Sequence, residues 1–123
     1  MGPQMIILLK RAYELPDPGD GFRVLVDRLW PRGVSRSSAH IHLWLKEIAP
    51  STALRKWFDH DPVKWIEFRD RYFSELHRNP ETVEDLSEHM SRGVVTLVYG
   101  AKDREHNHAV ALKEYLENIK KYS

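Results

Sequence analysis

The sequence predicts a small α/β fold with a mainly parallel sheet of about three strands flanked by about five helices. Short apolar runs at residues 5–9, 22–27 and 94–99 have the length and composition of buried strands. Apolar residues recur at helical spacing in the long segment between the second and third runs, and again after the third run. Nearly continuous apolar strands favour a sheet covered on both faces, and therefore parallel pairing.

Each predicted strand ends at a position that carries charge or turn residues. The first run leads into Lys10 and Arg11, and residues 15–21 must then form a loop because they contain two prolines and two glycines. The second run leads into a turn, residues 28–33, that contains two arginines, a tryptophan, a proline and a glycine. Open α/β sheets place ligands beyond the carboxyl ends of their strands, so this turn indicates a site.

Five helices are predicted from start signals and apolar spacing. Each helix is expected to start after a serine, aspartate or asparagine that caps its first turn. In chain order, these predicted caps are Ser37 or Ser38, Ser51, Asp61, Asn79 and Asp103. Pro50 ends the first helix, and Gly93 is expected at the end of the fourth. The apolar residues expected to face the core are Leu43, Trp44, Ile48, Leu54, Trp57, Phe58, Trp65, Phe68, Tyr72, Leu76, Val83, Leu86, Met90, Ala109, Leu112, Leu116 and Ile119.

Length and composition indicate one domain. The 123 residues suffice for a single core, and no repeat or linker divides them. We therefore assign residues 5–123 to one α/β domain and residues 1–4 to a disordered extension or a cloning remnant. Neither a signal peptide nor an apolar run of membrane-spanning length is visible, so we expect a cytoplasmic protein with no membrane partner.

Charge and cysteine content exclude several kinds of chemistry. The absence of cysteine excludes disulfides, thiolate metal sites and thiol nucleophiles. Nineteen basic and eighteen acidic residues leave a formal charge of +1, which argues against a protein with a broadly basic nucleic-acid-binding face. Any basic surface must therefore come from local clustering of charges.

Five segments of the chain form a recognisable pattern: Lys10-Arg11, residues 20–33 with the run Asp-Arg-Leu-Trp-Pro-Arg-Gly, and residues 44–51, 96–103 and 106–109. In these segments the chain resembles the YeaO-like family of bacterial proteins, a family of unknown function. The resemblance implies a small α/β domain with a mainly parallel sheet, and no established activity. A longer group in the same superfamily carries cysteines near the positions of Tyr99 and Asn107, so thiol chemistry of that kind is not open to this chain.

The basic residues at the strand ends form a predicted anion-binding set. Arg28 and Arg32 flank the turn after the second strand, and Lys102 follows the third. If all strands are parallel, Arg11 lies at the same edge of the sheet. Arginine side chains and a helix N-terminus both offer hydrogen-bond donors with positive potential to an anion. The alternative is a structural role, in which Arg28 pairs with Asp27 or Asp103 and fastens the loops.

Histidines provide candidates for catalysis and for metal binding. His106, with Asp103 nearby, is a candidate general acid or base because imidazole titrates near neutral pH. The pairs His106–His108 and His40–His42 are poor chelates, since residues two apart on a helix point in different directions. We therefore predict no metal and no cofactor.

Two classes of function remain open. In the first, a cytoplasmic α/β protein binds a small phosphate- or carboxylate-bearing ligand at the carboxyl ends of its strands, with or without catalysis. In the alternative, the chain is an interaction module or a nucleic-acid-linked regulator in which Arg28 and Arg32 contact phosphate backbones. The sequence predicts neither the identity of the ligand nor the oligomeric state.

Overall fold

The part of the chain that the structure describes forms a four-stranded parallel sheet with five α-helices. A computed structural model describes residues 5–122, except for the side chains of residues 120–122. The strands are β1 Ile7–Arg11, β2 Phe22–Leu25, β3 Leu43–Trp44 and β4 Val95–Tyr99. The helices are α1 Arg36–Ala39, α2 Thr52–Phe58, α3 Trp65–His77, α4 Pro80–Arg92 and α5 His108–Tyr122. Short 3-10 turns cover Pro18–Asp20, Lys46–Ile48 and Pro62–Lys64. Residues 1–4, assigned above to an extension or a remnant, lie outside the described part of the chain.

The strand order β1-β4-β2-β3, with every neighbouring pair parallel, confirms the predicted α/β class. The third predicted strand, β4, lies at the centre and all five of its residues are buried, as its β-branched and aromatic sequence indicates. Because all the strands are parallel, their carboxyl ends lie at one edge of the sheet. The turns after β2 and β4 therefore come close together.

Alternate residues of the strands pack into two different layers. Val24, Val95, Leu97 and Tyr99 join the main core with helices α2 to α5. The helical residues of this core confirm most of the predicted stripes: Leu54, Phe58, Phe68, Tyr72, Leu76, Val83, Leu86, Met90, Ala109, Leu112 and Leu116. The opposite face has a thinner cover, in which the buried Ala12, Leu25 and Val98 contact Trp30, Val34, Ile41 and Trp44.

The first predicted helix is wrong beyond its first turn. His40 adopts a left-handed conformation, with φ 51°, and α1 ends there after four residues. The chain then pairs with β2, because His42 N donates to Arg23 O and Leu45 N donates to Leu25 O. Leu43 and Trp44 are therefore a short edge strand. Two residues are too few to show the alternation of apolar and polar side chains by which a strand is predicted from a sequence.

Other helix starts agree with their signals to different degrees. The Ser51 hydroxyl accepts a hydrogen bond from Leu54 N at 3.1 Å, and Asp61 caps the 3-10 turn that leads into α3. Helix α4 begins at Pro80 as predicted, but the Asn79 side chain makes no cap and donates instead to Glu47 O. Within residues 5–122, no helix is long and apolar enough to cross a membrane.

Candidate functional site

A cleft of about 370 Å³ opens beside the carboxyl ends of β2 and β4. Its walls come from the turn after β2, from α2 and the residues on either side of that helix, and from the loop that precedes α5. The basic side chains that line it are Arg28, Arg55, Lys56, His60, His106 and His108. Two carboxylates, Asp27 and Asp59, also line it, so the cleft combines a modest cationic excess with an apolar floor that includes Phe58 and Phe68.

Asp27 fixes the two strand exits relative to each other. Its Oδ2 accepts a hydrogen bond from Gly100 N at 2.9 Å. A Cβ at position 100 would lie 3.0 Å from the same oxygen, so a glycine permits this close approach. The other oxygen, Oδ1, is buried and lies 3.1 Å from His108 Nε2.

The imidazole of His108 is oriented by the end of β2. Its Nε2 lies 3.1 Å from Val26 O as well as 3.1 Å from Asp27 Oδ1, but only the contact with Val26 has hydrogen-bond geometry. Since a carbonyl oxygen only accepts, Nε2 must carry the hydrogen. The end of β2 therefore fixes the tautomer of His108.

Arg28 and Arg55 are the two guanidinium groups of the cleft. Arg28 Nη2 donates to Ala49 O at 3.2 Å and to Pro50 O at 3.4 Å, and Arg55 Nη2 donates to the Thr52 hydroxyl at 3.3 Å. The Nε of each arginine is buried without a hydrogen-bond partner in the described part of the chain. Buried donors of this kind cost about 1–3 kcal/mol when they stay unpaired. Each of the two arginines therefore has one donor that the surrounding protein leaves unpaired.

His106 and Asp103 form a pair at the rim of the cleft. Asp103 Oδ1 accepts hydrogen bonds from the backbone N–H groups of His106 and Glu105, and these bonds hold the pKa of Asp103 below its usual range. His106 Nδ1 lies 3.0 Å from Asp103 Oδ2, and the ring packs edge-on against Trp65. Because an ionised carboxylate only accepts, Nδ1 carries the hydrogen and Nε2 of a neutral ring presents a lone pair.

Helix α5 does not start as predicted. Asp103 caps the loop before it, and Asn107 caps the helix instead, with its Oδ1 accepting from Val110 N at 3.0 Å. The Asn107 amide also donates to Asp103 O at 2.8 Å. Both residues are cap formers in isolation, so the sequence alone does not tell which of them begins the helix.

Of the four predicted anion-binding residues, Arg28 lines the cleft, whereas Arg11, Arg32 and Lys102 do not. Arg11 Nε donates to Ala101 O at 2.8 Å and thereby holds the end of β4. Arg32 and Lys102 are exposed, and the Arg32 backbone carbonyl accepts from the Tyr13 hydroxyl. Arg28 forms no ion pair with Asp27 or Asp103, the structural role considered above; it instead holds carbonyls at the start of α2.

Sequence reasoning missed Arg55, Lys56 and His60. Arg55 and Lys56 lie on the polar side of α2, and His60 lies just beyond the end of that helix. Nothing in their local pattern separates them from ordinary solvent-exposed residues. Asp59 and His60 are both left-handed, with φ 46° and 55°, which places two consecutive strained residues at the wall of the cleft.

Replacing His60 with glycine should raise the free energy of unfolding by roughly 0.5–1 kcal/mol, since relief of the left-handed strain exceeds the entropy cost of glycine. Urea denaturation of the two proteins measures this difference. A control substitution, Gly93→Ala at φ 156°, should lower stability instead. If His60→Gly is destabilising, contacts of the imidazole outweigh the strain.

No group of three or more His, Asp or Glu side chains within the described residues is arranged to hold a metal ion. Two histidines of the cleft, His106 and His108, are instead directed towards a carboxylate and a backbone oxygen, respectively.

Comparisons with known proteins give a family but no activity. Residues 6–122 match the family model described as DUF488-N3i, the inactive DUF488-N3 subclade. The chain is 39% identical over 115 residues to the uncharacterized protein YeaO of Escherichia coli K12, an alignment that covers 94% of this chain and 100% of that protein. It is 40% identical over 110 residues to the uncharacterized proteins Rv3073c of Mycobacterium tuberculosis and Mb3100c of Mycobacterium bovis, over 89% of this chain and 92% of each relative. No solved structure matches the chain significantly.

Proposed function

The chain belongs to the YeaO-like family, in the subclade described as inactive DUF488-N3, and we propose that it is a binding protein for a small phosphate- or carboxylate-bearing ligand. The ligand occupies the cleft beside the carboxyl ends of β2 and β4. Binding without turnover is consistent with the description of the subclade and with the absence of cysteine from the chain.

The observation that carries this proposal is the pair of incompletely satisfied guanidinium groups, Arg28 and Arg55, in one cleft. Like charges gathered in a partly enclosed space repel each other, and the two carboxylates of the cleft, Asp27 and Asp59, offset this repulsion only in part. A phosphate or carboxylate group accepts several N–H donors at once, and arginine presents its donors in a matching planar fork. Binding through the Nε atoms requires a rotation of the side chain, since both atoms are buried in this structure.

The other cleft residues support the same ligand class. Lys56 adds a third fixed positive charge, and the imidazoles of His106 and His108 gain affinity for an anion when they are protonated. The apolar floor formed by Phe58 and Phe68 suits an organic part attached to the anionic group. We therefore expect a metabolite-sized phosphate ester or carboxylate to bind more tightly than inorganic phosphate.

Inorganic phosphate at 100 times its dissociation constant should raise the free energy of unfolding by about 2.7 kcal/mol, because it binds the folded state alone. Arg55→Gln should abolish this gain while altering the ligand-free protein little, since Arg55 makes a single side-chain hydrogen bond. Thermal unfolding at a series of phosphate concentrations measures both effects.

Arg32→Gln is the matched control, because it removes the same charge from an exposed position outside the cleft. It should keep the full phosphate response. Equal loss of the response in both variants would indicate a general charge effect, and an unchanged response in Arg55→Gln would contradict binding in the cleft.

A further inference from the structure

One segment of the chain, residues 28–46, is free of acidic residues. It contains four of the nineteen lysines and arginines, and none of the eighteen aspartates and glutamates. The remainder of the chain therefore has fifteen basic and eighteen acidic residues. The formal net charge of +1 is therefore the sum of a cationic segment and an acidic remainder.

Most of this segment packs on the side of the sheet away from helices α2 to α5, through Trp30, Val34, Ile41 and Trp44, whereas Arg28 lies at the cleft. It forms the turn after β2, helix α1 and the edge strand β3. Arg32, Arg36 and Lys46 are exposed, and no carboxylate of the described residues lies within ion-pair distance of any of them. We call these three side chains, with Trp30 and Trp44, the cationic face.

Two tryptophans of the cationic face hold the planar guanidinium group of Arg36. Trp30 and Trp44 pack edge-on with ring centroids 5.6 Å apart. Their indole N–H groups donate to Val34 O at 2.7 Å and Asp27 O at 2.8 Å, which fixes both rings. The Arg36 guanidinium lies 4.5 Å from the centroid of Trp30 and 5.5 Å from that of Trp44, and Lys46 Nζ lies 4.7 Å from the Trp44 centroid.

We infer that the cationic face binds single-stranded nucleic acid. Its exposed cations attract phosphates, and the Arg36 guanidinium, held against two indole rings, offers a preorganised flat surface on which an unpaired base stacks. Surfaces that bind single strands without sequence preference combine these two elements. This interaction uses residues outside the cleft and does not depend on the small-ligand site.

Single strands fit these observations better than an acidic protein. Carboxylates on a protein would satisfy the cations, but they make no use of a guanidinium plane stacked on tryptophan. A duplex hides its base faces, so it too would engage only the charges. The guanidinium plane of Arg36 is therefore the feature that selects an unpaired base.

The test is fluorescence anisotropy of a labelled oligothymidylate at several salt concentrations. If Arg32, Arg36 and Lys46 each neutralise one phosphate, the logarithm of the association constant should fall with the logarithm of salt concentration with a slope of about −2. Arg32→Ala should bring the slope closer to zero by about 0.7. Arg36→Lys should preserve the slope but weaken binding about tenfold, because the charge remains and the plane is lost.

Arg78→Ala is the control, since Arg78 is exposed at the end of α3, outside the cationic face. It should bind like the unaltered protein, and circular dichroism should show that all variants are folded. Absence of binding at low salt, equal effects of Arg78→Ala and Arg32→Ala, or equally tight binding of poly-glutamate would each overturn the inference. Inorganic phosphate should still stabilise Arg32→Ala against unfolding, because Arg32 lies outside the cleft. The inference about the cationic face and the proposal about the cleft can therefore fail independently.

Discussion

Tyr72→Ala is expected to lower the free energy of unfolding by about 3–5 kcal/mol, the cost of a large cavity in a packed core. The Tyr72 side chain is 0% exposed at the centre of α3, where its ring stacks against Phe68 and meets His108 edge-on. Its hydroxyl donates to Ile48 O at 2.7 Å, and burial raises the pKa of Tyr72 well above its usual range, so the hydroxyl keeps its hydrogen. Urea denaturation at neutral pH measures the loss.

Two milder changes in α3 calibrate this result. Tyr72→Phe keeps the ring and loses one buried hydrogen bond, so it should cost about 1–3 kcal/mol. Trp65→Ala should cost less than Tyr72→Ala, because Trp65 is only partly buried. A loss below 1 kcal/mol for Tyr72→Ala would contradict the packing of α3 against the sheet.

Asp20→Asn is expected to cost about 3–5 kcal/mol, because it leaves a buried positive charge without its partner. Asp20 is 5% exposed and Arg23 is 2% exposed. The Asp20 carboxylate accepts from Arg23 Nη1 and from Lys10 Nζ, the latter at 3.0 Å. Arg23 also donates to Ala39 O, so the same group joins the 3-10 turn before β2, the strand itself and helix α1. Chemical denaturation of Asp20→Asn measures the cost.

The same carboxylate makes stability depend on pH. Burial raises the pKa of Asp20, but hydrogen bonds from Lys10, from the Asp17 backbone and from Arg23 outweigh burial and lower it below 3.8. A carboxyl group with a lowered pKa in the folded state stabilises the protein above its unfolded pKa, and this contribution disappears as pH falls through the folded value. The stability difference between the unaltered protein and Asp20→Asn should therefore shrink below about pH 4. A constant difference down to pH 2 would mean that the ion pair contributes nothing.

The sequence carried enough information for the parallel sheet and for most of the core. The run of residues 94–99 is unmistakably a buried strand, and the spacing of Phe68, Tyr72 and Leu76 places one face of α3 in the core. Strand β3 was not predictable, because Leu43 and Trp44 fit a helical stripe equally well and only the pairing with β2 decides between the two.

The candidate site was predictable in part. Arg28 opens the turn that follows β2, so its position in the sequence is enough to place it at the carboxyl end of that strand, beside the cleft. Arg55 and His60 come to the cleft through the packing of α2, which no local pattern in the sequence specifies. Arg32 lies four residues beyond Arg28, yet the intervening turn carries it away from the cleft, because the direction of a loop depends on contacts such as Tyr13 with the Arg32 carbonyl.

Nuclear magnetic resonance of the arginine side chains tests the proposed function most directly. Titration of ¹⁵N-labelled protein with inorganic phosphate should shift the Nε–Hε signals of Arg28 and Arg55 along one saturable curve, together with backbone amides of the loop that precedes α5. The dissociation constant from these shifts should equal the one from thermal stabilisation. Unchanged signals of Arg28 and Arg55 at phosphate concentrations that stabilise the protein, with shifts at Arg32 and Arg36 instead, would contradict anion binding in the cleft.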